Sequence, residues 1–239
     1  MNSNWKRFKR NRLALIGAWI VILLIMTSAL APFLSPYSPN EQNLKDSLKP
    51  PGKGHLLGTD YYGRDLLSRI IYGSRISLLV GVTVVLIGMF FGVLAGVISG
   101  YFGGIIDGLI MRVTDILLAF PFFLLAIAIA GALGPSLRNG IIALGIATIP
   151  SYTRLVRGSV LSIKENEYVA AAQSLGLSSF KIMFKHILPN IFGTLLVYAT
   201  LRIATAILAE AGLSFLGLGV QPPTPAWGNM LSEGREFLL

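Results

Sequence analysis

The stretch ISLLVGVTVVLIGMFFGVLAGVIS, residues 76–99, runs for 24 residues without one Asp, Glu, Lys, Arg or His. The hydrocarbon core of a bilayer is about 30 Å thick and is crossed by roughly 20 apolar residues in a helix. Four further segments share this character: Leu13–Leu34, about Leu109–Leu133, about Gly140–Val156 and about Leu188–Leu208. The whole chain is 54% hydrophobic and only 13% charged, whereas soluble domains carry about a quarter charged residues. Backbone polar groups in hydrocarbon have no water to bond, so such runs must satisfy them internally as helices. The sequence predicts an all-α, polytopic transmembrane helical bundle with five spans. Within the second, Gly81, Gly88, Gly92 and Gly96 recur at spacings of seven and four, which reads as a helix-packing face.

The net charge of +9 could suggest a nucleic-acid ligand. However, the basic residues fall in short blocks between apolar runs, the layout of membrane topology signals, so no nucleic acid is expected. Lys6, Arg7, Lys9, Arg10 and Arg12 precede the first span with no acid among them, which places the N-terminus in the cytoplasm. That run is too long for the core of a cleavable signal, and Pro32-Phe33 follow directly on Ala29-Leu30-Ala31, so it reads as an uncleaved span. Alternation then divides the chain. Residues 1–34 are the basic N-terminus and first helix, and residues 35–75 an extracytoplasmic segment. Residues 76–220 are a membrane core that includes a cytoplasmic loop at 157–187, and residues 221–239 are extracytoplasmic. In the last segment Pro222, Pro223 and Pro225 oppose helix and predict a rigid turn. Zero cysteines exclude thiolate metal sites and disulfides. His55 and His186 fall on opposite sides of the membrane in this topology and form no metal site.

The loop ENEYVAAAQSLGLSSFKIMFKHILPN, residues 165–190, carries the sharpest local signal. Glu167 suits a helix N-terminus, Ala170–Ala172 have the best helix propensity, and Gly176 accepts the left-handed conformation that ends a helix. Ser178 or Ser179 can cap a second short helix through Lys185. The expectation is a helix–turn–helix lying along the inner membrane surface. A plain connector is one reading. The other is a docking surface, since the exposed turn is Ala-rich and nearly chargeless after Glu167, and small side chains admit a close partner.

These residues carry a resemblance. Glu167-Tyr168-Val169-Ala170-Ala171 … Gly176 … Ile187-Leu188-Pro189 resembles the E-x-x-A-A-x-x-x-x-G coupling loop of ABC-importer permeases. GTDYYGRDLLSRIIYGSRISL from Gly58, SGYFGGIIDGLIMR from Ser99, YTRLVRGSVLS from Tyr152 and SFLGLGVQPPTPAWGNML from Ser214 resemble the dipeptide, oligopeptide and nickel branch of that family. The resemblance spans nearly the whole chain. It implies a permease subunit of an ATP-driven, binding-protein-dependent importer in the bacterial plasma or inner membrane. The expected partners are a second permease subunit forming a heterodimer, two ATP-binding subunits and an extracytoplasmic substrate-binding protein. Di- or oligopeptides are the implied substrate, with nickel or a metal–chelator complex as the alternative. Docking onto an ATP-binding subunit would fall to Glu167, Ala170, Ala171, Gln173 and Gly176, with Lys181 and Lys185 flanking. Family members continue into a final span, which is expected to be absent here.

No phosphate-cradling G-x-x-x-x-G-K-[ST] motif occurs, so the chain is expected to bind no cofactor, with ATP and Mg on partner subunits. A self-sufficient secondary transporter should show inverted repeats and several intramembrane acids, and an intramembrane enzyme a nucleophile with its base. Neither pattern is present. Arg202 and Glu210, eight residues apart at the end of the fifth span, line a pathway or gate, or else form an interfacial or structural pair. Arg112 and Asp115, at i and i+3, suggest a local ion pair, and Pro121 and Pro150 suggest kinks.

Overall fold

The computed structural model describes residues 9–235 and 237. Lys6 and Arg7 of the basic N-terminal block lie outside the described residues. The regular structure among the described residues is helical, with no strand beyond an isolated bridge between Thr59 and Asp65. The chain forms two compact units, one comprising the segment up to Leu79 with that from Pro222 onward, the other Val80–Gln221.

The first unit begins with helix α1 (Arg12–Ala29), whose start is capped by the Asn11 side chain accepting from the Ala14 amide at 3.2 Å. No residue of α1 is buried although it is apolar all round, which suits a helix surrounded by hydrocarbon. A break at Leu30 and the short helix α2 (Ala31–Leu34), with Pro32 in its first turn, complete the expected first span. The segment expected to be extracytoplasmic is helical for its last ten residues, because helix α3 starts at Leu66 and runs to Phe102. The reason is a cap: Asp65 accepts from the Ser68 amide at 2.8 Å and hydroxyl at 2.7 Å. Burial raises the Asp65 carboxyl, but the Ser68 and His55 contacts outweigh it and hold the group below the usual carboxylate range. The anion therefore stabilises this helix start at neutral pH, and the contribution is lost as pH falls through that lowered value.

The same unit contains a buried ionic network. Arg64 pairs with Asp60 at 2.6 Å and with Glu233 at 2.8 Å, and Arg69 lies 3.6 Å from both acids. Glu233 belongs to helix α10 (Trp227–Arg235). The Pro-rich segment is therefore not wholly non-helical: its prolines all precede Trp227, leaving the residues beyond free to coil. The Trp227 indole donates to the Ile70 carbonyl at 3.1 Å, and a Cβ at Gly73 would lie 2.9 Å from its ring.

In the second unit the third expected span is two helices, α4 (Gly104–Leu118) and α5 (Phe122–Leu133), bent by 89° at the break that holds Pro121. Helix α6 (Leu137–Lys164) is longer than the expected fourth span and absorbs the first residues of the expected loop. It is also too polar to qualify as a span by composition. Among the described residues three helical stretches qualify, or four with the bent pair taken as one, against the five expected. Burial accounts for this, since Thr148, Tyr152 and Thr153 of α6 face protein rather than lipid. Helix α7 (Glu167–Ser174) follows, then α8 (Ser179–Ile182), a π-helical turn (Met183–Ile187) and α9 (Leu188–Phe215). The last three are one continuous apolar stretch from Ser179 to Phe215. The second short helix expected after Gly176 is thus the first turns of the last span.

The glycine face of α3 meets α6 from Gly88 onward, while Gly81 meets Ile203 and Ile207 of α9. A Cβ on Gly88 would lie 2.7 Å from Thr148 Cγ2, one on Gly92 2.4 Å from Tyr152 Cβ and 2.8 Å from the Ile149 carbonyl, and one on Gly96 2.7 Å from the Thr153 carbonyl. Gly100 extends the row against Val160. Gly92→Ala should therefore separate the helices and cost about 1–3 kcal/mol. Gly108→Ala, in open space on α4, should leave stability unchanged or slightly raised by better helix propensity. Thermal unfolding of the purified chain in detergent checks the contrast.

Candidate functional site

Helix α7 starts after Asn166, which accepts from the Val169 and Ala170 amides through its backbone carbonyl. It ends in a Schellman arrangement. The Gly176 amide donates to the Gln173 carbonyl at 2.9 Å and the Leu177 amide to the Ala172 carbonyl at 3.2 Å, with Gly176 at φ +75°. Only glycine adopts that conformation without strain. Val169 and Ala172 point inward and join the core formed by Val160, Ile182, Met183 and Ile187. Leu177 packs on the same core.

Glu167, Ala170, Ala171, Gln173, Gly176, Lys181 and Lys185 are all solvent-exposed. The five from the first helix share its outer side and C-terminal turn, and the two lysines lie on the continuous helix that follows. Between them stand apolar residues that sequence reasoning passed over. Leu175 is 80% and Phe180 67% exposed, and the Phe180 and Phe184 rings lie tilted against each other with centroids 4.4 Å apart. Their signal in the sequence was large apolar residues at i and i+4 on a segment otherwise read as a polar connector. The base of the hairpin is held by charge. Arg157 grips Asp107 with two bonds of 2.6 Å, and the Lys164 ammonium donates to the Tyr101 carbonyl at 2.6 Å. The outer side of α7 thus combines small, apolar and a few polar groups on a helix fixed from behind by packing.

The pathway candidates separate. Arg202 and Glu210 form no ion pair among the described residues. The Arg202 guanidinium donates to the Tyr198 hydroxyl at 2.8 Å and lies over its ring, and Tyr198 packs edge-on against Tyr152 with centroids 4.9 Å apart. Glu210 is buried. It accepts from the Ser214 hydroxyl, which in turn accepts from the Val220 amide at 3.0 Å, so the carboxyl ties down the Leu216–Val220 turn. Asp115 does not pair with its neighbour Arg112 either. Its partner is Arg154 of α6, 39 residues away, which no local spacing rule can reveal.

Residues 92–239 match the family of binding-protein-dependent transport system inner membrane components, and residues 2–51 match the N-terminal TM domain of oligopeptide transport permease C. The chain is 47% identical to the dipeptide transport system permease protein DppC of Alkalihalophilus pseudofirmus, covering 98% of this chain and 77% of that protein. It is 45% identical to the glutathione transport system permease protein GsiD of Escherichia coli, over 98% and 78%. The fold is similar to a chain of the inward-facing MetNI methionine ABC transporter, with a TM-score of 0.58 over 72% of this chain and 88% of that one, at 19% identity. The chain belongs to the binding-protein-dependent family of inner-membrane transport permeases.

Proposed function

We propose that this chain forms one side of the membrane pathway of an ATP-driven importer of di- and oligopeptides. The observation that carries the substrate class is the relatives' cargo: a dipeptide and glutathione, itself a tripeptide, are named for proteins aligned over nearly the whole chain. No named relative supports nickel or a metal–chelator complex over peptides. The chain works beside a second permease subunit, receives substrate from an extracytoplasmic binding protein and draws on two ATP-binding subunits. Its N-terminus is cytoplasmic, residues 35–65 and 221–239 face outward, and α7 faces inward. Because the chain has no cysteine, single cysteines report this directly. Those placed at Lys53 and Leu231 should react with an impermeant reagent added to intact cells, and one at Glu165 should not. Outside labelling at Glu165 contradicts the arrangement.

Helix α7 is the coupling element. Glu167, Ala170, Ala171, Gln173 and Gly176 seat in a cleft of an ATP-binding subunit, with Lys181 and Lys185 at its rim and Leu175 and Phe180 as apolar contacts. Support comes from its two-sided build: Val169 and Ala172 fix it to the core, while its outer residues stand exposed among the described residues. Arg202, half-buried beside Tyr198 and Tyr152, contributes to the pathway wall, and Glu210 holds the turn that follows α9 rather than acting as a gate. Ala171→Leu keeps helix propensity but adds volume at a close contact, which should weaken association by about 1–3 kcal/mol. Gly176→Val should be worse, since a β-branched residue resists φ +75°. Glu167→Gln should cost least. Co-purification with the ATP-binding subunit and hydrolysis stimulated by loaded binding protein read the order. Wild-type association in both Ala171→Leu and Gly176→Val would make the loop a connector.

A further inference from the structure

Helix α4 is poorly held by packing. Among its described residues none from Gly104 to Val113 is buried, and Thr114, which is, bonds the Ile110 carbonyl of its own helix. Its link to α3 is Gly103-Gly104, at φ +67° and +54°, where an added Cβ would meet no described atom within 4 Å. At its other end the chain turns by 89° into α5. The position of a helix so exposed and so bounded is set by whatever grips its first turns.

That grip is Asp107. From the first turn of α4 it accepts two bonds of 2.6 Å from the Arg157 guanidinium of α6 and a third from the Ser99 hydroxyl of α3. The Asp107 and Arg157 side chains are 19% and 31% exposed and Ser99 is buried, so water competes poorly for these bonds. The other ion pair from α4 to α6, Asp115 with Arg154, is more than half exposed on both sides and adds little. Arg157 lies within about two turns of the end of α6. There the Lys164 ammonium bonds the Tyr101 carbonyl of α3, and Val160 enters the core that seats Val169 and Ala172 of α7. Helix α7, the end of α6 and the first turn of α4 are thus joined in series, first by apolar packing and then by one ionic clamp. Resting on the coupling role assigned to α7 above, we infer that Asp107 and Arg157 are the positioning pair that passes a displacement of α7 to α4, and through it to the bent α4–α5 segment. Charge suits this task. Apolar attraction is non-directional and lets helix faces slide, whereas a two-pronged guanidinium–carboxylate contact fixes orientation as well as distance.

The test uses the complete transporter in proteoliposomes with loaded binding protein and reads dialanine taken up per ATP hydrolysed. Asp107→Asn keeps the side-chain shape and removes the charge. It should co-purify with the ATP-binding subunit yet carry about tenfold less peptide per ATP, the weight of one charge-assisted contact. Asp107→Glu, which keeps the carboxylate, should recover most of that ratio. An unchanged ratio in Asp107→Asn, no recovery in Asp107→Glu, or an Asp107→Asn chain that no longer assembles makes the pair a folding contact or a bystander and overturns the inference. Independently, Gly108→Cys on α4 and Gln173→Cys on α7, both at exposed positions of a chain without cysteine, carry spin labels that measure the separation of the two helices in the assembled transporter. With Asp107 intact, one distance is expected, the same with and without ATP, and with Asp107→Asn the distance should shift when ATP binds. A shift with Asp107 intact means that α4 slips over α6 and refutes the clamp, as does a distance that stays constant in Asp107→Asn. The coupling role of α7 is tested apart from this: it fails if Ala171→Leu and Gly176→Val both keep wild-type association with the ATP-binding subunit, whatever the Asp107 variants do.

Discussion

How closely α3 can approach α6 governs the Val80–Gln221 unit. Helix association in a bilayer gains nothing from expelling water, so it rests on van der Waals contact and on hydrogen bonds. The row Gly88, Gly92, Gly96 and Gly100 removes every side chain that would hold the two backbones apart, and Thr148, Tyr152, Val156 and Val160 fill the space it leaves. With α6 fixed, Val97, Tyr101, Val156 and Val160 present one apolar face, and Val169, Ala172, Ile182 and Ile187 close on it. The orientation of α7 is therefore set from inside the membrane unit. A rigid seat of this kind is what a coupling element needs, since motion imposed on it is passed to the spans instead of being lost in a flexible loop.

The sequence disclosed the class of the fold and the start of its key helix, because both rest on local rules. Apolar run length marks helices that meet lipid, and Glu167, Ala170–Ala172 and Gly176 mark a short helix with a left-handed end. It disclosed the contact role of Gly92 and Gly96 as well, although Gly100, the next in the row, falls past the expected end of the span. What it withheld has two sources. The start of α3 at Leu66 is local, fixed by the Asp65 side chain bonding Ser68 three residues on, a capping signal passed over inside a segment read as a loop; the rest depends on tertiary contact. Pro121 signals a bend without its size, which is 89°.

The charged residues make the same point more sharply. Spacing suggested Arg112 with Asp115, and Arg202 near Glu210. Instead Asp115 reaches across to Arg154, Asp107 to Arg157, Arg202 to Tyr198 and Glu210 to Ser214. In a medium that penalises unpaired charge, partners are selected by which helices touch, and two of these four pairs join α4 to α6. The exposed residues Leu175 and Phe180 escaped notice for the opposite reason: apolar residues are common in this chain, so two more on a connecting segment raise no signal until their exposure is known.

In the proposed coupling role, α7 is the surface that meets an ATP-hydrolysing subunit. A photo-reactive amino acid at Gln173, exposed on the outer side of α7, tests it most directly in the assembled transporter. The prediction is a covalent adduct with the ATP-binding subunit whose yield changes when ATP is bound. Adducts only with lipid or within this chain, at the same yield with and without ATP, would contradict it.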